Sequence, residues 1–146
     1  MDALIVWVDK HLALAIHERQ LAEHGGSGGV RDEKLLESAL ARPQQVHAYL
    51  DPPADFADLA ASLAFGLARN HPFVDGNKRT AHVCYRVFLA LNDVELEASA
   101  EEKYATTMAL AAGSVTEADF ATWLRPRLKL ISRARVHEKR ARYARR

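Results

Sequence analysis

Apolar residues recur along this chain at intervals of three and four, the spacing that places them on one side of an α-helix. The clearest stretch holds Phe56, Leu59, Ala60, Leu63, Ala64, Leu67 and Ala68. Another begins near Asn77 and carries Ala81, Cys84, Val87, Phe88 and Leu91 on one stripe. Upstream, Asp9 can cap a helix running to about His24, where Gly25-Gly26-Ser27-Gly28-Gly29 breaks it. Asp32 can cap the next, with Leu35, Leu36, Ala39 and Leu40 on one side, and Pro43 is expected to stop it. Residues 43–54, with Pro43, Pro52 and Pro53, then read as a loop. Downstream, Asn92-Asp93 reads as a turn, and Ser99-x-x-Glu102 is a capping box that opens a fifth helix. Gly113 closes that helix, and Thr116 can cap a sixth that runs to about Pro126. No strand pattern is convincing; a short strand fits only at residues 94–96 or within 43–54. The chain shows no internal repeat and no second domain.

Composition changes this picture little. A chain of 146 residues is long enough for one domain with a real core. The lone Cys84 excludes an intrachain disulfide framework and fits a reducing cytoplasm. The apolar run at residues 3–8 lacks a basic flank and is too short for a signal-peptide core. No stretch approaches the ~20 apolar residues of a membrane span. The expectation is a cytoplasmic protein without membrane contact.

Charge changes it more. Residues 125–146 carry ten Lys/Arg against the single acid Glu138, a balance of +9, whereas residues 1–124 carry −8. The chain therefore divides into a mildly acidic domain over 1–127 and a basic C-terminal extension over 128–146, which reads as a helix at most. Contact with nucleic acid through phosphates is one reading of the extension. A solvated terminus is the other, and the composition favours it.

The chemistry concentrates in residues 71–80, His-Pro-Phe-Val-Asp-Gly-Asn-Lys-Arg-Thr. A helix N-terminus presents unpaired N–H groups and partial positive charge, so it binds anions. Gly76 lets backbone approach a ligand closely. Asn77, Lys78 and Arg79 follow in the first turn, where each cation costs ~0.3–1 kcal/mol that a bound polyphosphate would reverse. Asp75 is a hard oxygen ligand of the kind Mg²⁺ takes. His71, on the approaching loop, can accept a proton as neutral imidazole. These parts suit phosphoryl or nucleotidyl transfer from ATP to a hydroxyl. They lack zinc-ligand spacing and the order of a Walker A loop.

The same stretch resembles the Fic/Doc signature, His-x-Phe-x-[Asp/Glu]-[Gly/Ala]-Asn-[Gly/Lys]-Arg, with His71, Phe73, Asp75, Gly76, Asn77, Lys78 and Arg79 in every defining position. Ile16-His17, the Gly25-Gly26 turn with Gly29, residues 36–43 and Ala111-Ala112-Gly113 are similar to the Doc (death-on-curing) branch. The resemblance covers about residues 9–125. It implies an all-α, single-domain Fic/Doc helical bundle, with a short target-docking flap at loop 43–54. It also implies the toxin of a type II toxin–antitoxin pair.

Position 78 separates two activities within the family. Relatives that transfer AMP usually carry a second glycine there and a further arginine where this chain has His82. Doc-type relatives carry lysine and pass the γ-phosphate of ATP to a hydroxyl of translation elongation factor Tu. The resemblance thus makes His71 the general base, Asp75 the Mg²⁺ ligand, and Gly76, Asn77, Lys78 and Arg79 the phosphate cradle. It leaves Phe73 as a loop anchor and His17 as a structural hydrogen-bonding group. His82 either faces the site or is an ordinary polar position. The inhibitory pattern [Ser/Thr]-x-x-x-Glu-[Gly/Asn] of many Fic proteins is absent from the sequence, so inhibition is expected from a cognate antitoxin acting in trans. AMP transfer to a protein hydroxyl and a non-catalytic nucleotide-sensing module are the competing readings.

Overall fold

The computed structural model describes residues 4–131. Six α-helices dominate them: α1 (Lys10–His24), α2 (Glu33–Tyr49), α3 (Phe56–Asn70), α4 (Asn77–Leu91), α5 (Ala100–Ala112) and α6 (Glu117–Leu124). Two short strands, β1 (Val94–Leu96) and β2 (Leu128–Leu130), complete an otherwise all-α fold. No helix among the described residues is long and apolar enough to cross a membrane.

α3 is the central helix. Ten of its fifteen residues are buried, and it packs against α2, α4, α5 and α6. Small side chains let its neighbours come close: a Cβ on Gly66 would lie 3.2 Å from the Cα of Ala39 on α2. Its one buried hydroxyl, Ser62, accepts from Arg42 at 3.0 Å, and Arg42 also pairs with Glu117 at 2.6 Å. That bridge joins α2, α3 and α6. The segment before α1 lies along the end of α4. Trp7 stacks on Phe88 with centroids 5.8 Å apart, and Asn92 exchanges two 2.8 Å hydrogen bonds with the backbone of Val6.

Pro43 does not end the second helix. α2 continues through it to Tyr49, so the loop expected over 43–54 shrinks to 50–55. A proline inside a helix costs about 3 kcal/mol, because it removes an N–H and crowds the preceding turn. Here the Pro43 ring is itself buried in line with Leu36, Ala39 and Leu40, and Val46 packs on the core beyond it. At about 1.5–3 kcal/mol for each large apolar side chain buried, continuing the helix outweighs breaking it.

The shortened loop also lies in the wrong place for a flap. It joins the start of α3, and the motif follows the end of α3, about 22 Å away along a fifteen-residue helix. The segment that does lie against the motif precedes α2. Val30 bridges antiparallel to Phe73, Val74 N–H donates to the Gly29 carbonyl at 3.1 Å, and Arg31 N–H donates to the Pro72 carbonyl at 2.8 Å.

The chain does not turn helical at residue 128. A 3₁₀ turn over Arg125–Arg127 redirects it, and Leu128–Leu130 pair antiparallel with Val94–Leu96, placing Lys129 opposite Glu95. Opposite charges in facing positions support such a pair. The remainder of the basic extension, from residue 132, lies outside the described residues.

Candidate active site

Five of the six helices start on a side-chain oxygen: Asp9, Asp32, Asp55, Ser99 and Thr116 each accept from an N–H of the first turn. α4 is the exception. Its N-cap is Gly76, at φ 77°, with no side-chain cap and no acid in the first turn. The left-handed backbone demands glycine here rather than the space, since a Cβ would meet only ordinary contacts at 3.5 Å and beyond. Lys78 and Arg79 stand exposed in that first turn, without an ion pair among the described residues. Orphan N–H groups, the positive helix end and two unpaired cations thus converge on one spot, which suits an anion.

The loop before α4 is held by three side chains. Asn77 is 8% exposed; its Oδ1 accepts from Phe73 N–H at 2.9 Å and its Nδ2 donates to the Phe73 carbonyl at 3.0 Å. Its amide is therefore spent on the loop, which leaves its backbone N–H for a ligand. The Phe73 ring is buried and stacks on His17 with centroids 3.8 Å apart and planes 8° apart. Since a carbonyl only accepts, His17 Nε2 carries the hydrogen it donates to the Asp75 carbonyl at 2.7 Å. Arg31 holds the third point, donating from Nε to the His71 carbonyl at 2.7 Å and from Nη2 to the Asn70 carbonyl at 2.9 Å. His71 itself is exposed at the C-cap of α3 in the left-handed region, φ 50° and ψ 54°. That is an uncommon conformation for a side-chain-bearing residue. The Arg31 clamp on the two carbonyls is what maintains it.

Asp75 points its carboxylate at the glycine-rich segment. Oδ1 accepts from Gly76 N–H at 2.8 Å, and Oδ2 accepts from Ser27 N–H at 3.3 Å. Both oxygens keep lone pairs for a further partner. No group of three or more metal-ligating side chains exists among the described residues. A divalent cation here would rest on one carboxylate, with phosphate and water completing its shell, which is how Mg²⁺ binds beside nucleotides. Gly26 sets the distance: a Cβ on it would lie 2.7 Å from Asp75 Oδ2. Gly26→Ala is therefore expected to displace the carboxylate. Isothermal titration of the variant with Mg²⁺ and ATP should show affinity falling about 10-fold or more, and unchanged affinity would mean that the segment yields instead.

These residues line a cleft of 390 Å³, together with Val74 and two side chains of α5, Tyr104 and Met108. His71, Asp75, Gly76, Asn77, Lys78 and Arg79 all border it, whereas His82 is not among its lining residues. His82 sits half-buried behind Tyr104. Its Nδ1 lies 3.0 Å from Thr107 Oγ1, and the Thr107 hydroxyl donates to the Lys103 carbonyl at 2.9 Å, so Nδ1 must be the protonated nitrogen. Burial, then Arg86 and Lys103, lowers its pKa from 6.5 to about 4. The unfolded chain therefore takes up this proton first as the pH falls. Stability is lost from about 6.5 down to about 4, and none of this loss occurs above 7. Asparagine can offer Thr107 an N–H without titrating. His82→Asn is expected to flatten the fall in urea midpoint between pH 7 and 5; parallel curves would dismiss this origin.

As residues of the site, Tyr104, Met108 and Arg31 escaped the sequence reading, and Gly26 and Ser27 were legible only as part of a glycine-rich break between helices. The only trace of Tyr104 was an aromatic side chain directly after Glu101, Glu102 and Lys103, at the polar start of α5.

Residues 7–89, which run from Trp7 through the motif into α4, match the Fic/DOC family. The chain belongs to the Fic/DOC family. Among its relatives is Toxin Doc of Mycolicibacterium smegmatis, 49% identical over 74 residues. That match takes in 51% of this chain and 57% of the toxin, so the chain spans little more than half of that relative. Protein kinase doc of Escherichia phage P1 is 32% identical over 112 residues, which is 77% of this chain and 87% of the phage protein. In this Fic/DOC protein the motif is therefore set in a fold of the expected kind.

Proposed function

We propose that this Fic/DOC protein is a Doc-type toxin that transfers the γ-phosphate of ATP to a hydroxyl of a translation factor similar to elongation factor Tu, and so stops protein synthesis. The observation that carries the reading is Lys78: an exposed cation without an ion pair among the described residues, at a helix N-terminus with no side-chain cap, at the position where AMP-transferring relatives usually have glycine. The names of the two relatives, a toxin and a protein kinase, agree with it. Gly76, Lys78, Arg79 and the N–H of Asn77 hold the phosphates, and Asp75 would hold Mg²⁺, which would supply neutralising charge. His71 takes the proton of the target hydroxyl as its oxygen bonds to the γ-phosphorus. The bond between that phosphorus and the β–γ bridging oxygen breaks, and ADP leaves. The site lies in the cytoplasm in this reading. With no inhibitory motif in the sequence, control falls to a separate antitoxin.

The test uses ATP labelled at the α- or the γ-phosphate, incubated with purified elongation factor or lysate. Label from the γ-position on the target supports the kinase, and label from the α-position means AMP transfer. No transfer by wild type or His71→Ala leaves a binding module. Lys78→Gly should lower γ-transfer by about 10- to 150-fold, the worth of a hydrogen bond to a charged group. Unchanged γ-transfer in that variant would remove Lys78 from the argument.

A further inference from the structure

The cleft has two chemically different ends. The motif end gathers cations and backbone N–H groups. The other end is the face of α5 that carries Tyr104 and Met108, one turn apart and therefore one above the other. Tyr104 is 43% exposed there. Its ring is backed edge-on by His82, with centroids 5.7 Å apart and planes at 86°. His82 is itself anchored through Thr107 to the carbonyl of Lys103, the neighbour of Tyr104 on the same helix. The aromatic face is thus fixed before any ligand arrives. Met108, one turn along the same helix, adds only weakly polar surface, and Val74 adds an apolar side chain to the cleft lining. Apart from the hydroxyl of Tyr104 itself, the polar lining side chains all belong to the motif, and the one amide among them, on Asn77, is bonded through both its oxygen and its nitrogen to Phe73.

We infer that Tyr104, flanked by Met108 and backed by His82, is the stacking platform for the base of the bound nucleoside triphosphate, and that it accepts adenine and guanine alike because nothing beside it reads the edge of a base. Aromatic stacking tolerates any base, since each has a π-face, and discrimination needs hydrogen-bonding groups at its edge. The inference rests on the nucleotide reading of the site. It concerns the base, which neither the direction of transfer nor the target tests.

The experiment is calorimetric titration of the full chain, with Mg²⁺ present, by ATP, by GTP and by inorganic tripolyphosphate. Wild type should bind ATP and GTP within about threefold of each other, and tripolyphosphate roughly 5- to 150-fold more weakly, the loss of one base stack. Tyr104→Ala should bring ATP down to the affinity of tripolyphosphate and leave tripolyphosphate unmoved, while Tyr104→Phe keeps the wild-type values. The platform is overturned by equal binding of ATP and tripolyphosphate to wild type. It is also overturned by a preference between ATP and GTP above about tenfold, or by a Tyr104→Ala variant that loses both ligands equally. Wild type that binds as expected but passes α-label to its target refutes the kinase and leaves the platform standing. Wild type that passes γ-label but binds tripolyphosphate as well as ATP does the reverse. Binding of none of the three ligands ends both.

Discussion

The His71→Asn protein is expected to transfer phosphate at least 10²- to 10⁴-fold more slowly than wild type, the usual contribution of a positioned general base, while melting at the wild-type temperature. Asparagine is chosen because His71 has φ 50°, a conformation asparagine tolerates and alanine resists. The Arg31 bonds end on the backbone carbonyls of Asn70 and His71, so they survive the exchange. The imidazole is exposed and makes no hydrogen bond, ion pair or ring contact among the described residues, so what is lost is the proton acceptor. Single-turnover transfer of γ-label, read beside a thermal melt, separates the two quantities. A variant that keeps its rate would place the base elsewhere in the cleft; one that melts early would mean that the ring also supports the fold.

Asn77→Ala is expected to lose both stability and activity, for a reason that a phosphate cradle alone does not supply. Removal of the amide strips the Phe73 N–H and carbonyl of their partners at 2.9 and 3.0 Å, in a residue that is 1% exposed. Each buried group left unpaired costs about 1–3 kcal/mol, so the loss is about 2–6 kcal/mol. The urea midpoint should fall with little change in slope. Asn77→Asp keeps the acceptor for Phe73 N–H, and places a negative charge at a helix N-terminus, where it is favourable. Its midpoint should lie between those of Ala and wild type. An alanine variant as stable as wild type would show that water takes over both bonds. Then Asn77 would act on the phosphate alone.

The two substitutions show where the sequence was legible. Expected helix starts at Asp9, Asp32, Ser99 and Thr116 all appear as side-chain caps in the structure. Each is a bond to an N–H three residues on, so its whole cause lies within one helical turn. The motif residues from His71 to Arg79 are contiguous, and a cleft built from them needs little more than a loop entering a helix.

Legibility ended where a partner lies far along the chain. Pro43 carries a local penalty, but the face of α3 that outweighs it comes after another loop. Leu128–Leu130 have no strand pattern of their own and become one by pairing with Val94–Leu96. Arg31, Gly26 and Tyr104 enter the site only because the segment before α2, and α5, fold against the motif. By itself, then, the sequence determined where most helices begin, which residues could handle a polyphosphate and which family they resemble, because hydrogen bonds within one turn and contiguous motifs are local. Only the tertiary structure decided that Asn77 staples the loop, that Arg31 clamps His71, and that Tyr104 walls the cleft. Burial and long-range hydrogen bonds depend on neighbours that the chain brings together only when it folds.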